Sequence, residues 1–495
     1  MLKNIPVVKL AMVAVSRDCF PITLSQGRSQ AVHQLYKERY GEMILVSTIV
    51  QSEKDVTRAL TEIKAQEADA LIVYLGNFGH EGPETLLAQQ FDGPVMFCAA
   101  AEETTADLRT KRGDAYCGLL NASYSLRLRN IKAYIPQIPV GNSGEIVEMI
   151  HHFVTIARIL NGVRNLKIIT FGPRPQDFLA CNAPIKPLYD LGMVSIQENS
   201  ELDLLNAYKA HESDARIHQV ALEMAEELHQ PEVNDILLRL AQYELTLLDW
   251  KADNMGAAKY VAFANKCWPA FAGNFAFVPC YVNGRLTARG IPVACEVDIY
   301  GALSEYMAGC ASMKTPMLLD INNTVPEDMF KQHIQDKYPY TLHDVFMAFH
   351  CGNGSVGCLS NGIFRHHAIL KDSIEPNSLP DKSRGTYEGN IKPGDITLFR
   401  LHSNASGKLC SYVAQGEVLP VDACSFGTIG VFAIPEMMRF YRNVLVEKHY
   451  PHHCAIAFGN NGQALYEAVR LLGVSEIDHN HVAGHLYPSE NPFAL

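Results

Sequence analysis

The chain has 495 residues, of which 48% are apolar and 19% are charged, and its formal net charge is −11. This composition excludes a disordered, collagen-like or coiled-coil chain, and the length is sufficient for about two to four domains with sizeable cores. The acidic balance argues against a nucleic-acid partner, because general nucleic-acid binders usually present a basic face.

The cysteines and the amino-terminal region indicate in which cellular compartment the protein is expected. Thirteen cysteines are scattered along the chain without a CxxC pair or a regular spacing, which favours free thiols in a reducing cytoplasm. The apolar stretch over residues 5–15 is interrupted by Lys9 and stiffened at its start by Pro6. It therefore predicts a first β-strand, and neither a membrane helix nor a signal peptide. We expect no membrane partner.

Residues 1–162 alternate between strand-like and helix-like patterns. Buried strands are predicted over 7–15, 43–50, 70–75 and 93–99. Short apolar strands separated by helices are typical of a mostly parallel sheet that is covered on both faces. The sequence thus predicts an N-terminal α/β domain over this region.

In the rest of the chain, the sequence pattern changes from α/β to β-rich. Residues 163–305 continue the α/β pattern with a strand over 166–171, which runs into a proline-rich turn that carries Arg174. Residues 306–495 instead show short strand-like runs separated by Gly, Asn, Ser and Pro turns. The sequence predicts a central α/β domain followed by a β-rich C-terminal domain, an antiparallel barrel or sandwich.

Several acids and histidines stand at the ends of apolar runs or inside them. They are Glu296, Asp320, His350, His452 and His453. An ionised carboxylate in an apolar setting is costly unless it is paired or bound to a metal. Two carboxylates and an imidazole suit a divalent first-row cation such as Mn²⁺. Taken alone, each residue is more often an ion-pair partner, a helix cap or a core histidine, so both interpretations stay open.

Three segments around these residues resemble the L-fucose isomerase and L-arabinose isomerase superfamily. They are Cys295-Glu296-Val297-Asp298, Leu319-Asp320 and Pro451-His452-His453-Cys454. The resemblance covers most of the chain in domain order, and it implies two Rossmann-like parallel-sheet domains followed by a β-rich domain. It also implies a metal-dependent aldose–ketose isomerase that acts through a cis-enediol(ate) on a sugar of the fucose or arabinose type.

The same resemblance implies a site. Glu296, Asp320 and His453 are the implied ligands of Mn²⁺, with Co²⁺ or Mg²⁺ as alternatives, and the two carboxylates are the implied catalytic base and acid. His350 is a further ligand candidate, and His452 competes with its neighbour. Sites in this family form between the subunits of trimers or hexamers, so we expect a homo-oligomer with its site at a subunit interface.

A second set of residues is expected to contact the substrate. The candidates are Arg17, Arg174, Trp268, Asn323, His350 and His452. Arg17 follows the first strand, much as a substrate-contacting arginine does in the fucose-type branch of the family. Amide and imidazole groups bind sugar hydroxyls, and an indole stacks on the C–H face of a sugar, although Trp268 is at least equally consistent with a core position.

Other functions stay open at this point. The guanidinium groups of Arg17, Arg174 and Arg365 suit bidentate capture of an anionic tail, so a sulfonated hexose such as sulfoquinovose is an alternative substrate. Two α/β units in series also resemble non-catalytic sugar-binding proteins of the periplasmic type. A lyase or aldolase shares the enediolate chemistry.

Overall fold

The computed structural model describes residues 2–110, 112–176, 178–191, 194–374 and 382–493. They form two compact units, one over Pro6–Asn161 and one over Gly162–Leu495 together with Met1–Ile5. The second unit contains both the predicted central domain and the predicted β-rich domain.

The first unit is built around a five-stranded parallel sheet. Its strands are β1 (Leu10–Val15), β2 (Ile44–Leu45), β3 (Ala70–Leu75), β4 (Val95–Ala100) and β5 (Val140–Gly141). Its helices are α1 (Ile22–Tyr40), α2 (Glu53–Ala65), α3 (Glu81–Gln90), α4 (Asp107–Thr110), α5 (Ala115–Leu128) and α6 (Ser143–Arg164), the last continuing into the second unit. The strand order is β2-β1-β3-β4-β5. Every residue of β1, β3 and β4 is buried, as expected for a parallel sheet between helices.

Two predicted strands of this unit are shorter in the structure. The first begins at Leu10, and Val7 before it is exposed. The second retains only Ile44 and Leu45 in the ladder, and Val50 adds a single bridge to Val15. An apolar run indicates burial, but a strand extends only as far as a neighbour offers hydrogen bonds.

One helix of the described residues, α6, is long and apolar enough to cross a membrane by length and composition alone. Within its most apolar window, 56% of the residues are buried inside the protein. A core helix of a globular protein passes the same test, because it is apolar on most of its faces. The predicted cytoplasmic location stays a prediction.

The second unit begins with a four-stranded parallel sheet. Its strands are β6 (Leu166–Phe171), β7 (Ser195–Asn199), β8 (Tyr260–Ala264) and β9 (Val293–Ala294). The helices of this region are α7 (Lys186–Asp190), α8 (Glu201–Ala210), α9 (Ile217–Glu227), α10 (Asp235–Asn254), α11 (Phe271–Phe275), α12 (Cys280–Thr287) and α13 (Ile299–Ser312). The strand order is β7-β6-β8-β9, and every pairing is parallel.

The second unit ends with a nine-stranded mixed sheet that closes on itself. Its strands are β10 (Met317–Thr324), β11 (Val345–His350), β12 (Ile363–His366), β13 (Arg384–Asn390), β14 (Gly394–Ser403), β15 (Leu409–Leu419), β16 (Thr428–Ala433), β17 (His453–Phe458) and β18 (Glu476–His479). The helices are α14 (Glu327–His333), α15 (Lys371–Ile374), α16 (Met437–Phe440) and α17 (Gly462–Leu472). The pairing of β15 with β16 closes the run β16-β11-β10-β17-β14-β15 into an antiparallel barrel. The predicted fold class, two parallel sheets followed by a β-rich barrel, is confirmed.

Candidate active site

Glu296 lies in a tight turn that leaves the carboxyl end of β9. Both Glu296 and Val297 have left-handed backbone conformations, with φ of 59° and 57°. Such a conformation costs about 1–3 kcal/mol for a residue other than glycine, and Val297 is β-branched, which makes it an outlier. The turn is held by the amide of Val297, which donates to the carbonyl of Asn265 at 2.9 Å, just after β8. The strained backbone aims one carboxylate at the edge of the parallel sheet where open α/β sheets bind ligands.

Asp320 and His453 come from two neighbouring strands of the barrel. Asp320 of β10 stands directly opposite His453 of β17 in the antiparallel register. Their side chains bring Asp320 Oδ1 within 3.4 Å of His453 Nε2, and Glu296 Oε2 lies 3.6 Å from the same nitrogen. The structure therefore brings together the three residues that the sequence proposes as ligands.

Asp298 fixes the orientation of the His453 ring. Its carboxylate accepts a hydrogen bond from His453 Nδ1 at 2.8 Å and two from the Arg400 guanidinium, at 2.7 and 3.0 Å. It also caps α13 by accepting from the amide of Gly301 at 2.8 Å. Burial alone would raise the pKa of Asp298, but Arg400 and His453 outweigh it and hold that pKa well below its usual value. Asp298 is thus an acceptor, so His453 carries its proton on Nδ1.

This tautomer has a consequence for the space between the carboxylates. Burial would lower the pKa of His453, but the bond to Asp298 and the nearby Asp320 and Glu296 outweigh that effect, so the pKa is raised. The raised pKa of His453 reflects the surrounding negative charge, first that of Asp298 at Nδ1 and then those of Asp320 and Glu296, which together favour positive charge on the imidazole. That charge is supplied either by a proton or by a cation bound to the Nε2 lone pair.

Three buried polar atoms at this point have no hydrogen-bond partner among the described residues. They are Asp320 Oδ1, His350 Nε2 and His453 Nε2. The 3.4 Å between Asp320 Oδ1 and His453 Nε2 is long for a hydrogen bond, but both atoms are within reach of one ion. Leaving such groups unpaired costs about 1–3 kcal/mol each. Carboxylate and imidazole donors around this space fit a divalent first-row cation.

The remaining two histidines adjoin this cluster. His452 Nε2 lies 3.7 Å from Glu296 Oε2 and 3.6 Å from Asp320 Oδ1, and its side chain is 28% exposed. His350 is buried, and its ring stacks on His453 with the centroids 5.8 Å apart. His350 Nδ1 accepts a hydrogen bond from the amide of Cys351, so Nε2 is the ring nitrogen that remains for another partner. Burial lowers the pKa of His350, which keeps the ring neutral and able to donate a lone pair.

Two cavities adjoin the cluster. The larger, of about 590 Å³, is lined by His452 together with His402, Ser403 and His449. The smaller, of about 380 Å³, is lined by Arg174, Cys181, Glu198, Val297 and Tyr300 among others. Both volumes are of the size that binds a small molecule such as a monosaccharide.

Arg174 lies in the smaller cavity on a stiffened loop. It follows Gly172 and Pro173, and Lys266 supports the loop by donating to the Pro173 carbonyl at 2.9 Å. Arg174 Nε is buried and, within the described part of the chain, lacks a hydrogen-bond partner. An unpaired guanidinium nitrogen that lines a cavity is suited to bind an anion.

Two predicted substrate contacts of the second unit, Trp268 and Asn323, are not brought to the carboxylates. Trp268 follows β8, is partly exposed and is not among the residues that line the two cavities. Asn323 is exposed near the end of β10, donates to Asn322 at 2.6 Å and lines a separate cavity of about 180 Å³. Arg17 belongs to the first unit, where it pairs with Glu81 at 3.4 Å.

Three residues of the site were missed from the sequence. Asp298 stands two residues after Glu296, and an aspartate three positions before a helical glycine is a readable N-cap. Arg400 gives no local signal, because its partner lies 102 residues away in the chain. Cys181, whose thiol donates to Glu296 Oε2 at 3.5 Å, stands in a short 3₁₀ turn without any motif.

Two family models match this chain. One describes the N-terminal domain of fucose/sulfoquinovose isomerases and matches residues 11–164. The other describes the C-terminal domain of L-fucose isomerase and matches residues 348–479. Together the two matches cover more than half of the chain.

Curated relatives carry the same class of activity in their names. The sulfoquinovose isomerase of Priestia megaterium is 21% identical over 468 residues, which is 93% of this chain and 97% of that protein. The sulfoquinovose isomerase of Alkalicoccus urumqiensis is 23% identical over 350 residues, which is 68% of this chain and 71% of that protein.

The fold and these matches define the chain as an aldose–ketose sugar isomerase. It belongs to the L-fucose isomerase superfamily, as the resemblance in the sequence implied. The matches do not favour the non-catalytic sugar-binding protein, because the relatives are named as isomerases. The fold also gives the third, β-rich region, which such a binding protein does not need.

Proposed function

We propose that this chain converts a sulfonated aldose of the sulfoquinovose type to its 2-ketose. The reaction passes through a cis-enediol(ate), with a divalent cation held by Glu296, Asp320 and His453. The observation that carries the proposal is the meeting of two carboxylates with a buried His453 Nε2 that lacks a hydrogen-bond partner among the described residues. They adjoin a cavity lined by Arg174, whose Nε also lacks such a partner in the described part of the chain.

The donor set supports Mn²⁺, with Co²⁺ or Mg²⁺ as alternatives, because two carboxylates and one neutral imidazole suit these cations. When bound, the cation supplies Lewis-acid polarisation of neighbouring sugar oxygens, which is worth several kcal/mol of charge stabilisation. His350 is a further candidate ligand, since its Nε2 is buried beside His453 and unpartnered among the described residues.

The two carboxylates carry the proton transfer. One of them removes the proton from C2 of the open-chain aldose, and the proton is returned to C1. Burial raises the pKa of Glu296, but the neighbouring histidines outweigh that effect and the net shift is downward, which keeps Glu296 ionised and ready to accept a proton. A positioned acid–base pair contributes about 10²–10⁴-fold to such a rate. Asp298 and Arg400 hold His453 so that its Nε2 faces both carboxylates.

The proposal of a sulfonated substrate rests on Arg174 and on the names of the relatives. The relatives that match most of this chain are named sulfoquinovose isomerases, which favours a sulfonated sugar over the fucose or arabinose type that the resemblance first implied. Arg174 offers the anion-binding group that such a substrate requires. Lys266 beneath its loop is paired with Glu201 at 3.2 Å, so it supports the loop and leaves the anion to Arg174. The sulfonate would bind at Arg174, with C1 and C2 of the sugar near Glu296.

The first experiment tests the reaction and its metal. We expect the purified chain to lose activity on sulfoquinovose after EDTA treatment and to regain it with Mn²⁺, with the ketose product followed by NMR. We expect Glu296→Gln to lose both metal affinity and turnover. Full turnover by Glu296→Gln with bound Mn²⁺ would falsify the assignment of Glu296. A product with a broken carbon skeleton would instead indicate a lyase or aldolase.

The second experiment tests Arg174. We expect Arg174→Ala to raise KM for the sulfonated sugar by about 10–100-fold, because a charge-assisted hydrogen bond is worth about 1.5–3 kcal/mol. Arg470→Ala is the matched control, since Arg470 is exposed on α17 (Gly462–Leu472), and it should leave KM unchanged. A preference for L-fucose or L-arabinose that is indifferent to Arg174→Ala would contradict the sulfonated substrate.

We also propose that the protein is a cytoplasmic homo-oligomer. One face of α5 supports this, because Tyr116, Leu120, Tyr124 and Leu128 recur every four residues and are each 62–71% exposed. Monomers rarely expose such a continuous apolar stripe to water. Asn121 of the same helix donates to Glu81, the partner of Arg17, at 2.9 Å. A second copy bound on this stripe would therefore stand close to Arg17.

A further inference from the structure

Cys181 places a thiol among the atoms that face the proposed cation. Its Sγ donates to Glu296 Oε2 at 3.5 Å and lies 3.8 Å from His453 Nδ1. The sulfur, a carboxylate oxygen of Glu296 and a ring nitrogen of His453 all lie within 4.8 Å of one another. The proposed reaction gives this thiol no role.

A second observation shows that the space beside the thiol is suited to a ligand. His453 is completely buried, and its Nε2 has no hydrogen-bond partner among the described residues. The same nitrogen faces Glu296 Oε2 at 3.6 Å. The thiol therefore contacts the same Glu296 oxygen that faces the free lone pair of His453 Nε2, so Glu296 Oε2 links the sulfur to this nitrogen.

His453 belongs to two overlapping sets of donors. One set consists of Asp320, His452 and His453 and offers only oxygen and nitrogen, whereas the other consists of Cys181, Glu296 and His453 and adds sulfur. Oxygen and nitrogen suit Mg²⁺ and Mn²⁺, while thiolate together with imidazole and carboxylate is the donor set of tetrahedral d¹⁰ cations. The two sets therefore differ in the kind of cation that they prefer.

We propose that Cys181, Glu296 and His453 form a binding site for thiophilic divalent cations, Zn²⁺ and Cd²⁺, which compete with the working cation. The inference rests on the metal site of the proposed function, because the competition follows from the sharing of Glu296 and His453. Binding is a ligand exchange without redox change: the sulfur–cation bond forms as the S–H bond breaks, and the proton leaves to the buffer. Zn²⁺ or Cd²⁺ bound at this site would therefore inhibit the isomerase.

The thiol is accessible to an incoming ion. Cys181 is partly exposed and lines the cavity of about 380 Å³ that also contains Arg174. The buried cysteines Cys98 and Cys454, by contrast, line neither of the two cavities beside the cluster. Of the exposed cysteines, Cys424 provides a matched control, since its thiol donates only to the nearby carbonyl of Asp422.

The test titrates the metal-free, full-length protein with Cd²⁺ and with Mn²⁺ separately. Affinity is read by calorimetry, and the sulfur–cadmium bond is read by its ultraviolet charge-transfer absorption. We expect Cys181→Ser to weaken Cd²⁺ binding by about tenfold or more and to remove this absorption, while Mn²⁺ affinity changes by less than about threefold. Cys424→Ser should leave both affinities unchanged.

Equal Cd²⁺ affinity and equal absorption in Cys181→Ser and in the unaltered protein would overturn the proposal. A measurement on the unaltered protein keeps it testable if the variant fails to fold: Cd²⁺ should slow alkylation of Cys181 by iodoacetamide by about tenfold or more, as followed by peptide mass spectrometry. Absence of this protection also overturns it. Cd²⁺ binding through Cys181 without any Mn²⁺ binding would contradict the proposed function alone, whereas the reverse result would contradict only the soft-cation site.

Discussion

Asp298 shows how a buried carboxylate fixes the protonation and the orientation of a neighbouring imidazole. It accepts from Arg400, Gly301 and His453 at once, and these bonds fix both the tautomer and the orientation of the imidazole. At this scale the sequence identified Glu296, Asp320 and His453 through a family resemblance. It could not identify the ion pair with Arg400, because the two residues are far apart in the chain and only the fold joins them.

The first prediction concerns this carboxylate. We expect Asp298→Asn to weaken Mn²⁺ binding by about 10–100-fold, because the amide no longer favours the proton on His453 Nδ1. The variant should also be less stable by about 3–5 kcal/mol, since Arg400 loses its buried counter-charge. Calorimetric titration and thermal unfolding measure the two effects separately. Unchanged Mn²⁺ affinity in a folded variant would show that His453 is not oriented by Asp298.

The second prediction concerns Glu305 of α13, which is buried next to the site. Burial raises the pKa of Glu305 to about 8, so the folded protein keeps a proton there that the unfolded chain releases near its usual pKa. The folded state therefore binds more protons than the unfolded state between about pH 4.5 and pH 8, and stability falls as pH rises through this window. Glu305→Gln removes this loss.

The measurement compares the thermal unfolding midpoints of Glu305→Gln and the unaltered protein at pH 6 and pH 9. We expect the variant to gain relative to the unaltered protein between these two pH values, by up to about 3 kcal/mol. Glu226→Gln on the exposed side of α9 is the control and should show no such trend. A constant difference between the two proteins at both pH values would contradict the raised pKa of Glu305.

Elements, rather than single residues, bring the site together. β10 and β17 pair so that Asp320 and His453 face each other, and the strained turn after β9 adds Glu296 from the parallel sheet. Short strand-like runs in the sequence predicted the β-rich region to which β10 and β17 belong. The closure of β15 on β16 was not predictable from periodicity, because strand pairing depends on tertiary contacts between distant segments.

The third prediction concerns that closure. A Cβ added at Gly416 of β15 would overlap the carbonyl oxygen of Ala433 on β16. We expect Gly416→Ala to destabilise the barrel by about 1–3 kcal/mol, because the two strands would have to move apart. Gly357→Ala is the control, since a Cβ there makes only ordinary contacts. Equal unfolding midpoints for the two variants would show that the seam between β15 and β16 is not closely packed.

At the scale of the whole molecule, the apolar stripe on α5 is the feature that a single chain leaves unexplained. Tyr116, Leu120, Tyr124 and Leu128 are exposed side by side on the first unit. The periodicity of this segment predicts a helix, but it cannot say whether the exposed apolar residues meet water or another subunit. The family resemblance supplied the expectation of a homo-oligomer.

The fourth prediction tests this assembly. We expect the double variant Leu120→Glu with Tyr124→Glu to shift the protein to a smaller species in size-exclusion chromatography with light scattering, because the added charges would be buried without partners. Thr57→Glu on the exposed side of α2 is the control for added charge. An unchanged mass for the double variant would place the subunit contact elsewhere.

The register of β17 on β10 has a consequence for biosynthesis. β17 lies between β10 and β14 in the barrel and carries His453, so the proposed cation site requires a strand from the last tenth of the polypeptide. A nascent chain on the ribosome thus completes its two α/β sheets well before it can retain a cation. Metal loading is therefore expected only after release of the full-length product, and fragments from premature termination should emerge folded in part but metal-free.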